Sequence, residues 1–358
     1  MPQRRVMPSM PASGPAGSPA PNTEEELERR LAEPTPGVLE ALRPLAGDLV
    51  ILGAGGKMGP TLARMARRAF DLLGRRDRVI AVSRFSSPEA EGALRLSHIE
   101  TVRCNLADHT AVAALPQAPL VVFMAGQKFG TTDAPGTTWM MNTVVPAFVA
   151  ERYAGARLVA FSTGNVYPLT PVASGGASES YAPAPVGEYA ASCLGRERVL
   201  EYASRRDGTP MAIVRLNYAV ELRYGVLVDI VSAVLRDEPV DARMGYVNVI
   251  WQGDANARAL RCFAHAASPP FVINVTGGET LSVRDLAAHA GRLLGRTPRV
   301  DGEEAPDALL SDARRSIELF GPPAVSVGQM MAWIADWLQR GGRVLEKPTH
   351  FQERRGAF

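Results

Sequence analysis

The stretch DLVILGAGGKMGPTLARMARRAFDLLG, residues 48–74, constrains the fold more than any other part of this chain. Leu49 to Leu52 form a short continuous apolar run, the pattern of a strand covered on both faces, and from Pro60 the apolar positions switch to helical spacing. Between them stand Gly53, Gly56 and Gly59 at G-x-x-G-x-x-G spacing, while the stricter G-x-G-x-x-G spelling fails because Met58 occupies its last glycine. A strand, a glycine-rich turn and a helix aim unblocked backbone N–H groups and the positive helix end at one point, where a pyrophosphate can sit. The unit therefore predicts dinucleotide binding, with Gly53, Gly56, Lys57, Met58 and Gly59 at the phosphates. A merely tight βα turn is the plainer alternative.

Alternation continues downstream. RVIAVSRF, HIETVRCNL, PLVVFMAG, RLVAFSTGNVY and PMAIVRLN read as strands, with TTWMMNTVVPAFVAERYA and GEYAASCLGRERVLEYAS as helices. Strands separated by helix-length segments imply right-handed crossovers, so the fold class expected is α/β, a doubly wound parallel sheet of Rossmann type with a smaller C-terminal substrate-covering domain. The dinucleotide-binding domain is expected over 47–216, with 247–278 returning to it, and the covering domain over 217–246 and 279–345. Residues 1–22 hold six prolines and no acid, which predicts a disordered tail. Thr23 should cap a short helix stopped by Pro34 and Pro36, within a helical extension over 23–46. Residues 346–358 read as a second tail.

The strand RVIAVSRF ends with Ser83 and Arg84 close to where an NAD enzyme carries an acid for the ribose 2′-hydroxyl. A hydroxyl followed by a guanidinium suits a 2′-phosphate, which favours NADP slightly over NAD. A solvated Arg84 with weak selectivity is the other reading.

Composition narrows the remaining classes. Thirty-nine basic against 37 acidic side chains leave a net charge of +2, without the one-sided field that nucleic acid or an anionic membrane surface favours. Three cysteines without C-x-x-C spacing and five scattered histidines predict neither a disulfide scaffold nor a metal site, and fit a reducing cytoplasm. No apolar run approaches the roughly 20 residues of a membrane span. Of the 39 basic residues 36 are arginine, so Lys57, Lys128 and Lys347 mark either places that need a slim point charge or chance.

Seven segments in order, LGAGGKMG, CNLAD, VVFMAG, MMNTV, FSTGNVY, EYAASC and VRLNYA, resemble the motifs of the extended short-chain dehydrogenase/reductases, the NAD-dependent epimerase/dehydratase family. The similarity spans about residues 48–340. It implies an NAD(P)-dependent oxidoreductase or epimerase acting on a sugar, sugar acid or nucleotide sugar. Asn105 and Leu106 would lie on the adenine side, and Ala125 and Gly126 beside the nicotinamide. Tyr189 would be the catalytic tyrosine and Thr163 its hydroxyl partner; Asn142 would order the active-site helix, and Asn165 and Asn217 would approach substrate. A homodimer through the helices near Trp139 and Glu188 is also implied, with Met140, Val144, Phe148, Leu194, Val199 and Tyr202 on that face.

One departure matters. The family lysine four residues after the tyrosine is Cys193 here. A phenol of pKa near 10 needs roughly 4 kcal/mol to ionise at neutrality, about what one cation at 4 Å supplies at an effective dielectric near 20, and a neutral thiol supplies none of it. Three readings are open. Lys128 replaces the missing cation as a catalytic and cofactor-phosphate residue; or Tyr189 stays neutral and only donates; or the chain binds NAD(P) without turnover, as a sensor or scaffold. Farther on, Asp254 reads as a helix-start residue, and Met330, Trp333, Ile334, Trp337 and Leu338 as core. Tyr218, Arg223, Tyr224 and Arg243 are candidate ligand contacts.

Overall fold

The computed structural model describes residues 19–128, 130–131, 133–347 and 349–357. The expected disordered tail therefore lies, up to residue 18, outside the described residues.

Seven parallel strands form the central sheet: β1 (Leu49–Leu52), β2 (Val79–Ser83), β3 (Glu100–Arg103), β4 (Leu120–Phe123), β5 (Arg157–Thr163), β6 (Met211–Leu216) and β7 (Phe271–Val275). Their spatial order is β7-β6-β5-β4-β1-β2-β3, with Leu49 level with Val79 on one side and Leu120 on the other. β1 and β4 are buried throughout, as their unbroken apolar runs require, while the edge strand β3 presents Glu100 and Arg103 to solvent. Strand order reverses between β1 and β4. Connections leaving these two strands diverge to opposite faces and open a crevice at their carboxyl ends.

Around the sheet and beyond it lie α1 (Glu24–Leu31), α2 (Pro36–Leu42), α3 (Gly59–Leu72), α4 (Pro88–Leu96), α5 (His109–Ala113), α6 (Pro135–Trp139), α7 (Val145–Arg152) and α8 (Gly187–Asp207). They continue as α9 (Val226–Leu235), α10 (Gln252–Arg261), α11 (Val283–Leu294), α12 (Arg314–Phe320) and α13 (Val327–Gln339). One face of the sheet packs against α2, α3 and α10 through Leu42, Leu62, Phe70 and Leu260, the other against α7 and α8 through Val145, Val149 and Leu200. A separate core joins α9, α11 and α13, where Trp251 and Trp333 meet edge to face with ring centroids 5.6 Å apart. Met330, Ile334 and Trp337 are buried in it, as their helical spacing predicts.

The N-terminal extension is two helices rather than one. Thr23 caps α1, accepting from Glu26 N at 3.2 Å. Pro36, expected as a stop, instead opens α2, because its fixed φ and missing N–H cost nothing in a first turn. Ser282 and Ser326 likewise cap α11 and α13. Asp254 lies in the first turn of α10 and accepts from the backbone of Ala324 and Val325. At the other end, the segment read as a tail packs against α9: Thr349 N and Oγ1 donate to Asp229 Oδ2, and Phe351 is buried.

Candidate active site

A cavity of about 360 Å³ opens at the carboxyl ends of β1, β4, β5 and β6. Its floor is the glycine turn. Gly53 has φ +91°, and a Cβ there would lie 2.6 Å from Ala125 N, so only glycine lets β1 end against the β4 loop. A Cβ on Gly59 would meet Ala54 O at 2.4 Å, which fixes how closely α3 approaches the turn. Gly56 differs: its Cβ would meet nothing nearer than Gly53 O at 3.4 Å and would project into the cavity. Met58, at the N-cap of α3, offers its helix no side-chain cap. A cradle of this shape, open only where a side chain would fill it, fits a pyrophosphate.

Lys57 and Lys128 both line the cavity. Lys57 Nζ lies 3.1 Å from the centroid of the Tyr224 ring. Burial pushes its ammonium down to about 7, and repulsion from Lys128 and Lys347 adds to the push against Asp229 and Glu221. Burial brings Lys128 down to about 8, with Asp229 and Cys193 opposing. All three lysines of this arginine-rich chain thus belong to one electrostatic neighbourhood, and two of them line one cavity. Ammonium groups held this way gain most from an anion.

In the same cavity Tyr189, in the first turn of α8, hydrogen-bonds to Thr163 at the end of β5 and to Cys193 one turn farther along α8. Burial raises the phenol well above its usual range and the thiol adds to this, while Thr163 and Arg196 pull it down. Burial also keeps Cys193 a thiol. Thr163 Oγ1 donates to Asn165 Oδ1 at 3.0 Å and accepts from Asn165 N. Asn217 is buried and lines the same cavity, its amide donating to Asn248 Oδ1 at 2.9 Å.

Asn142 sits behind the cavity lining. It belongs to a π turn, Met140–Val144, that joins α6 to α7, a helical irregularity often found at functional sites. Its side chain bridges Gln127, through N–H and C=O at 2.8 and 2.9 Å, to Ser192 Oγ at 3.0 Å, so it ties the β4 loop to α8. Pro146 has no N–H for the Asn142 carbonyl four residues back, and Arg196 Nε donates to that carbonyl instead at 3.2 Å.

Of the residues expected from sequence, the cavity wall brings together Gly53, Gly56, Lys57, Met58, Ala125, Gly126, Lys128, Thr163, Asn165, Tyr189 and Asn217. Gly59, Ser83, Arg84, Asn105, Leu106 and Asn142 lie outside it. Arg84 is exposed, and among the described residues no hydrogen bond or ion pair engages it. Tyr218 and Tyr224 line the cavity, but Arg223 is occupied by Glu221, Glu24 and Glu28, and Arg243 by Asp241. Sequence reasoning missed Arg196, Gln252 and Thr349, which also line it. Arg196 carried a signal, since it lies seven residues after Tyr189 and so on the same helical face; Thr349 carried none.

Among the described residues no helix is long and apolar enough to cross a membrane, and no group of three His, Cys, Asp or Glu side chains could hold a metal ion.

Residues 49–220 match the family model described as the NAD dependent epimerase/dehydratase family. No curated protein sequence matches the chain. Among solved structures, MoeE5 in complex with UDP-glucose and NAD is 21% identical, with a TM-score of 0.66 over 82% of this chain and 99% of that one. UDP-glucose 4-epimerase from Thermotoga maritima, with UDP-glucose, is 17% identical at a TM-score of 0.66 over the same shares. UDP-glucuronic acid 4-epimerase from Bacillus cereus, in complex with NAD, is 18% identical at 0.66, again over 82% and 99%. At these identities the likeness is one of fold.

Proposed function

We propose, because residues 49–220 match the model of the NAD dependent epimerase/dehydratase family, that this chain is an NAD(P)-dependent oxidoreductase or epimerase acting on a sugar, sugar acid or nucleotide sugar. One observation carries the reading: the glycine turn and the Tyr189–Thr163 pair line one cavity. The similar structures that hold NAD, UDP-glucose or UDP-glucuronic acid support the substrate class. A soluble cytoplasmic homodimer completes the proposal.

Gly53, Gly56, the start of α3 and the ammoniums of Lys57 and Lys128 would hold the dinucleotide phosphates, with Ala125 and Gly126 leaving room for the nicotinamide. When bound, that ring exchanges a hydride with a hydroxyl-bearing or carbonyl carbon of the substrate. Tyr189 Oη holds the proton that must accompany the hydride, and Thr163 Oγ1 orients it. Burial keeps the phenol protonated at neutral pH, so Tyr189 enters the reaction as an acid, which suits reduction of a carbonyl. Asn165, Asn217, Tyr218 and Tyr224 offer donors and acceptors for sugar hydroxyls. NADP stays slightly favoured over NAD on Ser83 and Arg84, whose guanidinium is free to meet a 2′-phosphate.

The test is turnover on a panel of UDP-sugars, sugar acids and simple carbonyls, followed by NAD(P)H absorbance and product analysis. Wild type should turn over at least one of them and Tyr189→Phe should lose about two or more orders of magnitude. Cofactor binding without turnover anywhere on the panel would replace this reading with that of a silent dinucleotide-binding protein.

A further inference from the structure

Arg196 is the least explained charge near the cavity. It is 5% exposed, yet it makes no ion pair among the described residues. Nε donates to Asn142 O at 3.2 Å, Nη1 to Phe161 O at 2.7 Å and Nη2 to Asn142 Oδ1 at 3.0 Å, all neutral acceptors. The next residue, Glu197, is no counter-ion for it: that carboxylate is taken by Arg215 at 2.7 Å and Ser162 at 2.5 Å. Burying a permanent cation without an opposite charge is costly, and such groups gather where charge develops during function.

The chain makes room for it. A Cβ on Gly126 would lie 2.6 Å from Arg196 Nη2, so a glycine just past β4 is what admits the guanidinium to the cavity wall. Arg196 lies two turns beyond Tyr189 on the same face of α8, and arginine side chains on a helix lean back toward its N-terminus. α8 carries no lysine. The groups that act on the Tyr189 hydroxyl are Cys193 and Arg196 on α8 and Thr163 on β5; Lys57, Lys128, Tyr218 and Tyr224 line the same cavity, and Asp229 acts on both lysines. Burial, first, and the thiol raise the phenol; Thr163 and Arg196 are what oppose them, and Arg196 is the cation of that set. Of the charges that act on Lys128, Asp229 comes first and Cys193 second.

We propose that Arg196 is the cation of this active site, a positioning residue that biases the Tyr189 hydroxyl toward its oxyanion through space while holding Asn142 and the end of β5 in place. The proposal rests on Tyr189 being the proton-transfer group. It moves the charge one turn along α8, from Cys193, which hydrogen-bonds the phenol, to a guanidinium.

The experiment reads the phenol without turnover. The full-length chain is prepared with 3-nitrotyrosine at position 189, a more acidic phenol that absorbs visible light when ionised and is distinct from the other tyrosines. Arg196→Gln should raise its ionisation midpoint by about one to two pH units, the scale of a unit charge acting over roughly 6–10 Å at an effective dielectric of about 20. Arg196→Lys should keep it within about half a unit, and Lys128→Met should move it less than Arg196→Gln does. Adding Cys193→Lys to Arg196→Gln should bring the midpoint back down. That rescue separates charge from architecture, because a lysine at 193 restores no bond to Asn142 or Phe161. An unchanged midpoint in Arg196→Gln, or one that moves with Lys128→Met instead, overturns the proposal. Should Arg196→Gln not fold, a midpoint in Arg196→Lys at the wild-type value supports the proposal and one raised by more than a unit overturns it. Retained turnover in Tyr189→Phe would instead remove the reading beneath it, and the two failures are read in separate measurements.

Discussion

Dinucleotide binding to this protein should take up protons. Lys57 and Lys128 are held at about 7 and about 8 by burial, with mutual repulsion adding at Lys57, and a pyrophosphate between them reverses both effects. At pH 8 the first is roughly one-tenth protonated and the second about half, so restoring both charges takes up about 1.4 protons; at pH 6 the uptake is about 0.1. The sign follows from linkage. These groups bind protons more tightly with the ligand than without it, so affinity is fully present below the ligand-free values and falls as pH rises through them. Integrated from pH 6 to pH 8, the Kd should rise about twentyfold, most of it from Lys57. NADH is the probe, since its phosphates do not titrate in this range. Fluorescence titration gives the Kd, and calorimetry in buffers of different ionisation enthalpy gives the proton count. Lys57→Met should leave only about a twofold rise, that of Lys128 alone. An affinity constant within about threefold from pH 6 to 8, with a binding enthalpy independent of buffer, would refute the two-ammonium cradle.

Gly56→Val should abolish dinucleotide binding while leaving thermal unfolding close to wild type, because its side chain would enter the cavity and press on little else; unchanged calorimetric affinity would sink the cradle assignment. Arg84→Ala should weaken NADPH more than NADH by roughly 1.5–3 kcal/mol if the exposed guanidinium meets the 2′-phosphate. Equal losses for the two cofactors would make it a surface charge. Trp139, Val144 and Tyr202 are 39%, 40% and 66% exposed on α6, the π turn and α8, so the chain should sediment as a dimer and Tyr202→Glu should shift it to monomer. A monomeric wild type at micromolar concentration would contradict that face.

Local physics made most of the fold readable from sequence. The apolar run before Gly53, the glycine spacing, the alternation of strand and helix patterns and the Ser and Thr caps all act within a few residues, so β1 to β7 and the glycine turn lie where the pattern puts them. Thr163, Tyr189 and Asn217 share a cavity because each stands at or just past the carboxyl end of a strand, or opens the helix that follows, and a parallel sheet collects those ends on one edge. Tertiary structure alone decided how charges meet. Lys57, Lys128 and Lys347 are scattered along the chain, and only folding brings the second and third near the first. Arg223 was a plausible ligand contact until α1 docked Glu24 and Glu28 against it across nearly 200 residues. Pro36 was a helix stop until the sheet supplied an apolar face for α2. Arg196 became the buried cation because Gly126, Asn142 and Phe161 converge on it from three other segments, and the cost of an unpaired charge is a property of that enclosure rather than of any local pattern.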